Sequence, residues 1–239
     1  NQMEPLSRLY RVVAYSRRNH YPNPWSDYPS DYSLTLEKDD LAGLTDGLGL
    51  GRVHLVGSSL GGTIAALLAR DDPRLVGDLV LYDPALRALV QADAGLATVN
   101  EHAAKVNASA REGIAMGRLE EGARSMTDLN AGEGAFDALP PPIRSVILQN
   151  TRPLLGELME SPQPFTCADA GRIGAATLLM NGERSAPLFR EITGRLAQCI
   201  PQSESVVVPG ASHAAYRQNP QFFNEAITTF LTSHKKGSG

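Results

Sequence analysis

The chain has 239 residues, of which 42% are hydrophobic and 20% are charged. These proportions are ordinary for a soluble globular protein, and the length suits one α/β domain that carries an insertion. The formal net charge of -4 argues against nucleic acid or an anionic membrane surface as a partner. No apolar run approaches the roughly 20 residues of a membrane-spanning helix, so we expect no membrane partner.

The first fifty residues predict a helix, a strand and a second helix, in that order. Residues 1–9 are typical of a helix end, and residues 10–15 form a β-branched run that favours a strand. A segment rich in Pro, Tyr, Asn and Ser follows and predicts a loop. Residues 36–48 have leucines at helical spacing and an acidic pair near their start, which predicts a helix.

A Gly-x-Ser-x-Gly pentapeptide, Gly57-Ser58-Ser59-Leu60-Gly61, lies between a predicted strand and a predicted helix. Residues 53–56 are a short apolar run of the kind that a strand buried on both faces requires. Residues 60–69 have helix-forming composition. A serine in a tight turn between a strand and a helix is typical of a nucleophile elbow, so the sequence predicts Ser59 as a nucleophile.

The tight turn explains the other residues of the pentapeptide. Its serine takes a strained backbone conformation, so its neighbours must lack bulky side chains, and Gly57, Gly61 and Gly62 meet that demand. The helix N-terminus then directs the N–H of Leu60 at a developing oxyanion. A phosphate-binding loop would instead need Gly-Lys-Ser/Thr, and a dinucleotide-binding turn would need Gly-x-Gly-x-x-Gly.

After the elbow, strands alternate with helices except in one long segment. Residues 78–82, 176–180 and 204–208 predict further strands, and their helical connections indicate a doubly wound, mostly parallel sheet. Residues 85–172 read as helices alone, which predicts a helical cap inserted between two strands of the sheet. We therefore expect the following division: a core of residues 1–84 and 173–234, a cap of residues 85–172, and a tail or cloning scar at residues 235–239.

A serine nucleophile needs a base that takes its proton, and the base needs an acid that orients it. His213 follows the last predicted strand in a glycine-containing loop, from which it can reach Ser59. The other histidines lie in less suitable places. His54 falls inside a predicted buried strand and is expected to be a packed core residue. The order of serine before histidine matches the order in α/β-hydrolases.

The sequence resembles the α/β-hydrolase superfamily over most of its length. The resemblance rests on residues 53–62 at the elbow, residues 79–84 at the next strand, the helical cap, residues 178–182, and the late loop Gly210-Ala211-Ser212-His213. This combination of motifs is specific to the superfamily but says little about the substrate. The resemblance implies the α/β-hydrolase fold and a catalytic triad.

The triad acid is left open between two carboxylates. In many members of the superfamily an aspartate follows the first strand after the cap, and here that position is Ser185. Asp83 ends the strand after the elbow, a position from which certain lactonases and haloalkane dehalogenases supply the acid. Glu183 lies close to the usual position and has a longer side chain. The resemblance favours Asp83 and keeps Glu183 as the alternative acid.

The amino-terminal part departs from the superfamily pattern. Members normally begin with a hairpin and a third strand, and the loop after that strand supplies the second oxyanion N–H. The first residues of this chain correspond to the part of the pattern after that loop, so we expect the N-terminal strands to be absent from this chain. A separate or cleaved N-terminal segment would then complete the sheet as a partner, because an unpaired ladder inside a sheet is costly.

The predicted reaction is hydrolysis of a carboxylic ester or lactone through an acyl-enzyme. Apolar residues of the cap, such as Ile147 and Leu155, suggest a hydrophobic substrate, although they are equally consistent with a cap that packs on itself. The alternatives are a carbon–carbon bond hydrolase with the same triad and a weakly catalytic ligand-binding or receptor protein on this fold. No metal or other cofactor is implied, because no cluster has ligand spacing.

The chain contains two cysteines, Cys167 and Cys199. Their positions suggest free thiols in a reducing compartment, and no signal peptide is evident in the residues given. The sequence therefore predicts a cytoplasmic protein whose partner is a small-molecule ester or lactone. A homodimer is an open alternative to a monomer.

Overall fold

A computed structural model describes residues 1–23, 32–160 and 163–235. The chain forms two compact units. The first unit comprises residues 1–14, 38–92 and 164–239, and the second comprises residues 15–37 and 93–163. The core and cap bounds expected from the sequence stay a prediction.

Four strands and eleven α-helices are present in the described residues. The strands are β1 (Val53–Ser58), β2 (Val76–Tyr82), β3 (Thr177–Gly182) and β4 (Ser203–Val208). The helices are α1 (Met3–Ser7), α2 (Leu34–Gly47), α3 (Leu60–Asp71), α4 (Ala97–Ala115), α5 (Leu119–Ala131), α6 (Pro141–Gln149), α7 (Thr151–Met159), α8 (Cys167–Ala170), α9 (Pro187–Cys199), α10 (Ala215–Gln218) and α11 (Pro220–Lys235). Two short 3₁₀ helices, Arg87–Val90 and Ala94–Leu96, follow β2.

The four strands form one parallel sheet in the order β1-β2-β3-β4. Consecutive strands are joined through helices, as parallel pairing requires. Helix α3 packs on β1 and β2, α9 packs on β3 and β4, and α11 packs on β2 and β4. The predicted doubly wound parallel sheet is confirmed.

Successive side chains of each strand point to opposite faces of the sheet. Val80, Tyr82, Leu178 and Met180 belong to one buried cluster with the apolar face of α11. Leu79, Leu81 and Leu179, which alternate with them, are fully buried as well. The inner strands are therefore covered on both faces, and their carboxyl ends carry the residues of the candidate site.

The prediction that residues 53–56 are buried on both faces is wrong. Leu55 is buried, but His54 is exposed and the Val56 side chain is 46% exposed. Strand β1 lies at the edge of the four-stranded sheet, and in the part of the chain that the structure describes no strand pairs with its outer side. An apolar run alone does not distinguish an edge strand from a central one.

The strand predicted at residues 10–15 is also wrong, since residues 11–17 have no regular secondary structure. Tyr10 and Val12 pack partly against the core cluster, while Val13 is exposed. A β-branched run becomes a strand only where a neighbouring strand accepts its hydrogen bonds. No strand of the described residues offers this run such a ladder. The expected N-terminal segment that would complete the sheet stays a prediction.

Cys167 and Cys199 form a disulfide, so the prediction of free thiols is wrong. The bond joins the start of α8 to the end of α9, with 5.2 Å between the Cα atoms. The two residues are 32 positions apart in the chain, and only their helices' packing brings them together. The two cysteines therefore give no support for a reducing compartment. Among the described helices, none has the length and apolarity that a membrane crossing demands.

Replacing both cysteines by serine is expected to lower the free energy of unfolding by about 3 kcal/mol, because the open chain regains the loop entropy that the bond removes. Urea denaturation of the double variant measures the difference. Wild-type protein unfolded with a reducing agent is the matched control and should lose a similar amount. Equal stability of the oxidised wild type and the double variant would contradict the prediction.

The second unit contains a buried ionic cluster centred on Arg17. Its guanidinium contacts Glu37 at 3.0 Å and Glu157 at 2.6 Å. His20 completes the cluster with a ring nitrogen 2.8 Å from Arg17. Burial would raise the pKa of Glu157, but Arg17 and His20 outweigh it and hold that pKa below its usual value. The cluster therefore fastens the segment before α2 to α7 through the two ion pairs of Arg17.

Candidate active site

The predicted elbow forms at the carboxyl end of β1. Strand β1 ends at Ser58, helix α3 begins at Leu60, and Ser59 lies between them with φ 53° and ψ -121°. Its N–H donates to the carbonyl of Tyr82 at 2.9 Å, and its carbonyl accepts from the N–H of Ala85 at 3.2 Å. A positive φ is strained for a serine, and these bonds to the end of β2 hold it there.

The glycines of the pentapeptide have different roles. A Cβ at Gly57 would lie 2.4 Å from the carbonyl oxygen of Gly61, so glycine is required at that position. A Cβ at Gly62 would lie 3.1 Å from the Cβ of Pro84, which is close but less severe. A Cβ at Gly61 would meet no atom within 4 Å. The predicted need for glycine therefore holds at Gly57, where the Gly61 backbone lies too close for a Cβ atom. It does not hold at Gly61 itself.

The N–H of Leu60 is available for an oxyanion. As the first residue of α3 it has no acceptor within the helix. No other backbone acceptor for it occurs in the described residues. The positive end of the helix adds to this donor.

Asp83, the acid favoured from the sequence, is in direct contact with His213, and its role as the acid stays a prediction. Asp83 follows β2 with φ 42°, its side chain is 0% exposed, and its Oδ2 lies 3.0 Å from Nδ1 of His213. A buried carboxylate beside Nδ1 favours the tautomer in which Nδ1–H donates. Nε2 of His213 is then free to accept a proton.

Two further side chains donate to the Asp83 carboxylate, and the sequence analysis assigned neither of them. The amide of Asn181 donates to Oδ1 at 2.6 Å, and the hydroxyl of Ser185 donates to Oδ2 at 2.6 Å. Ser185 also accepts from the N–H of Gly182 at 2.9 Å, so its own proton is directed at Asp83. The residue at the superfamily's usual acid position thus hydrogen-bonds the carboxylate that lies on the neighbouring strand.

Glu183, the alternative acid, lies elsewhere. Its Oε2 accepts from the N–H of Gly210 at 2.7 Å, and no contact with His213 occurs among the described residues. The N–H of Arg184 donates to the carbonyl of Ala211 at 2.7 Å, and its guanidinium donates to the carbonyl of Gly210. Glu183 and Arg184 therefore fasten the loop that carries His213.

The imidazole of His213 is held from two sides. The ring of Phe189 stacks on it with 4.2 Å between centroids and 18° between planes. The hydroxyl of Tyr82 donates to the carbonyl of the preceding residue, Ser212. Burial and the nearby Asp83 charge raise the pKa of Tyr82, which keeps this donor protonated. The ring itself remains 13% exposed and can meet a substrate.

Ser59 and His213 lie at the same edge of the sheet, but they are not hydrogen-bonded to each other in the described structure. Ser59 is fixed to the ends of β1 and β2, and His213 is fixed to Asp83 at the end of β2. Catalytic hydrogen bonds are often long in enzymes without a substrate and shorten when one binds. The structure therefore places both side chains at one edge of the sheet and hydrogen-bonds only His213 to Asp83.

A parallel sheet with a strained serine between strand and helix defines the class of α/β enzymes that use a nucleophile elbow. The chain belongs to the alpha/beta hydrolase family, whose model matches residues 3–226. The family assignment agrees with the fold and with the resemblance noted from the sequence.

Three similar proteins illustrate the range of the family. The candidate carbamate hydrolase RutD of Caulobacter vibrioides is 27% identical over 236 residues, which cover 96% of this chain and 83% of RutD. The sn-1-specific diacylglycerol lipase ABHD11 of Mus musculus is 29% identical over 252 residues, covering 92% of this chain and 71% of the lipase. A thermophilic esterase of Thermogutta terrifontis, solved with malate bound, is 27% identical with a TM-score of 0.74 over 97% of this chain and 83% of the esterase.

Proposed function

We propose that this protein hydrolyses a carboxylic ester or lactone through an acyl-enzyme. The observation that supports this most is the fully buried Asp83, which contacts His213 at 3.0 Å and directly follows Tyr82, the residue that accepts from the N–H of the strained Ser59. In this proposal Ser59 is the nucleophile, His213 the base, Asp83 the orienting acid and the N–H of Leu60 an oxyanion donor. Glu183 positions the loop of His213.

The reaction proceeds in two balanced halves. Nε2 of His213 takes the Ser59 proton while Oγ attacks the substrate carbonyl, and the negative charge on the carbonyl oxygen is stabilised by the N–H of Leu60. The tetrahedral intermediate collapses when His213 gives the proton to the leaving alcohol. His213 then takes a proton from water as the water oxygen attacks the acyl-enzyme carbonyl, and it returns this proton to Oγ of Ser59 when the acid is released. Asp83 stabilises the imidazolium in both halves without taking the proton.

The similar proteins support an activated acyl carbonyl as the target. By their names, the mouse lipase and the Thermogutta enzyme act on carboxylic esters, and RutD is a candidate for carbamate hydrolysis. Esters and carbamates share a carbonyl carbon with a heteroatom leaving group. The further proposal that part of the substrate is hydrophobic rests on the apolar composition of residues 143–159.

The direct test combines turnover with covalent labelling. Purified protein should hydrolyse p-nitrophenyl butyrate and show a burst of p-nitrophenol equal to the enzyme concentration if deacylation is slower than acylation. A fluorophosphonate should add to one serine, and peptide mass spectrometry should locate it at Ser59. Preincubation with the ester should slow labelling.

Folded protein without ester turnover or Ser59 labelling would contradict the proposal. Cleavage of a 1,5-diketone without ester turnover would instead indicate a carbon–carbon bond hydrolase. Tight ligand binding without turnover of either substrate would indicate a receptor.

A further inference from the structure

Asn181 lies near the end of β3, beside the acid of the candidate site. It pairs in register with Val207 of β4 and is 9% exposed. The N–H of Asp83 donates to the carbonyl of Met180 at 3.0 Å, so the backbone of the acid is bonded to the residue that precedes Asn181. The side-chain amide of Asn181 then donates to Oδ1 of Asp83 at 2.6 Å.

The same amide also contacts helix α9. Its Nδ2 lies 3.0 Å from Oγ1 of Thr193 and 3.4 Å from the carbonyl oxygen of Phe189. Thr193 and Phe189 are four positions apart, so they lie on the same side of the helix. The ring of Phe189 stacks on His213. Asn181 therefore joins the acid Asp83 to the helix that contacts the base.

The chemistry of these neighbours fixes which way the amide of Asn181 points. A carboxylate and a backbone carbonyl can only accept hydrogen bonds, so the NH₂ group has to face Asp83 and Phe189. The reversed amide would place an oxygen 2.6 Å from the carboxylate oxygen and leave both acceptors without this donor. One Nδ2 proton is thus directed at the acid, and the other is left for the acceptors on α9.

The orientation of the Asp83 carboxylate depends on this contact. His213 and Ser185 both contact Oδ2, at 3.0 Å and 2.6 Å. In the described part of the chain, the donor to Oδ1 is Asn181. The torsion that turns a carboxylate is soft, so contacts at one oxygen alone leave its plane poorly fixed. Asp83 is 0% exposed, and a buried carboxylate oxygen without a donor destabilises the site.

We propose that Asn181 is a positioning residue, which holds the plane of the Asp83 carboxylate and keeps α9 beside it. Nδ1 and the ring face of His213 are then both fixed before the proton moves. This inference rests on the proposed function, since it adds a residue to the same site. Asn181 acts through Asp83 and Phe189. Its loss should most impair the step in which His213 gives a proton to a poor leaving group, because a misplaced ring delivers that proton slowly.

Two butyrate esters with different leaving groups test this role. p-Nitrophenolate leaves without a proton, whereas the leaving group of ethyl butyrate needs one from His213. In Asn181→Leu, kcat/KM for p-nitrophenyl butyrate should fall about tenfold, and kcat/KM for ethyl butyrate should fall by a further factor of about ten, because a charge-assisted hydrogen bond is lost. Asn181→Ala removes the amide without adding a larger apolar group and should change the ratio in the same direction.

Titration of the active sites with a fluorophosphonate corrects both values of kcat/KM for inactive protein. A merely structural role of Asn181 would then lower kcat/KM for the two esters by the same factor. An unchanged ratio in both Asn181 variants would overturn the inference while the hydrolase proposal stands.

Asn224→Leu is the matched control. Asn224 lies on α11 of the same unit, is 8% exposed and donates to the carbonyl of Asn1 at 3.0 Å. The same substitution is thus made at a second buried, hydrogen-bonded asparagine outside the site, and the ratio of the two kcat/KM values should stay at the wild-type value. An equal fall of the ratio in Asn224→Leu and Asn181→Leu would overturn the inference.

The Nδ1 proton of His213 supplies a measurement that needs no turnover. It faces a fully buried carboxylate, so in proton NMR of protein with ¹⁵N-labelled histidine it should give a resolved signal that Asp83→Asn removes. Asn181→Leu should broaden or abolish this signal, and Asn224→Leu should retain it. If the esters are not hydrolysed but the signal depends on Asn181, the hydrolase proposal fails and the positioning role stands. A wild type without the signal, or an unchanged signal in both Asn181 variants, would overturn the inference.

Discussion

Asp83→Asn is expected to lower kcat for p-nitrophenyl butyrate by roughly four orders of magnitude, the scale seen when an orienting aspartate becomes an amide. Asn181, Ser185 and His213 all donate to the Asp83 carboxylate. An asparagine has one carbonyl oxygen for these three donors. Its amide group would turn N–H protons toward those donors that the oxygen does not reach. The imidazole then loses both its tautomer preference and the negative charge that stabilises its protonated form.

Glu183→Gln is the matched variant, and it should lower kcat far less than Asp83→Asn. A glutamine oxygen can still accept from the N–H of Gly210, which Glu183 contacts at 2.7 Å. The loop that carries His213 therefore keeps its main tether. Steady-state kcat and KM, measured with circular dichroism to verify folding, compare the two variants. The acid would be Glu183 if its variant lost the larger factor while Asp83→Asn remained active.

The sequence predicted those parts of the site that depend on neighbouring residues. Ser59, its strained turn and the free N–H of Leu60 are encoded within one pentapeptide, because a tight turn must satisfy its sterics locally. His213 could be found from its loop after the last strand. Asp83 was favoured over Glu183 because the usual acid position holds Ser185. The structure then gives Ser185 a role as a hydrogen-bond donor, which no local pattern indicates.

The wrong predictions concern contacts between distant parts of the chain. Residues 10–15 have strand composition, but a ladder also needs a neighbouring strand, and composition does not report one. His54 and Val56 looked buried because apolar runs occur in central and edge strands alike. The disulfide joins two helices that only the tertiary fold brings together.

Ser59→Ala is expected to lower kcat/KM for p-nitrophenyl butyrate by about four to six orders of magnitude, because the attacking oxygen is lost. Ser58→Ala is the matched control. Ser58 precedes it at the end of β1 and pairs in register with Tyr82, within the regular ladder. Its hydroxyl has no role in the proposed reaction, so its removal should leave most activity. If kcat/KM fell by a similar factor in both variants, the loss would come from damage to the turn and Ser59 would not be shown to be the nucleophile.

The backbone strain at Ser59 supplies a second readout of the same site. A φ of 53° with ψ of -121° is a conformation that glycine adopts far more easily than serine. Ser59→Gly should therefore raise the free energy of unfolding by about 1 kcal/mol while it abolishes turnover, whereas Ser59→Ala retains the strain and should leave stability nearly unchanged. Urea denaturation of the three proteins measures this difference. A lower free energy of unfolding in Ser59→Gly than in the wild type would contradict the inference that the backbone conformation of Ser59 destabilises the protein.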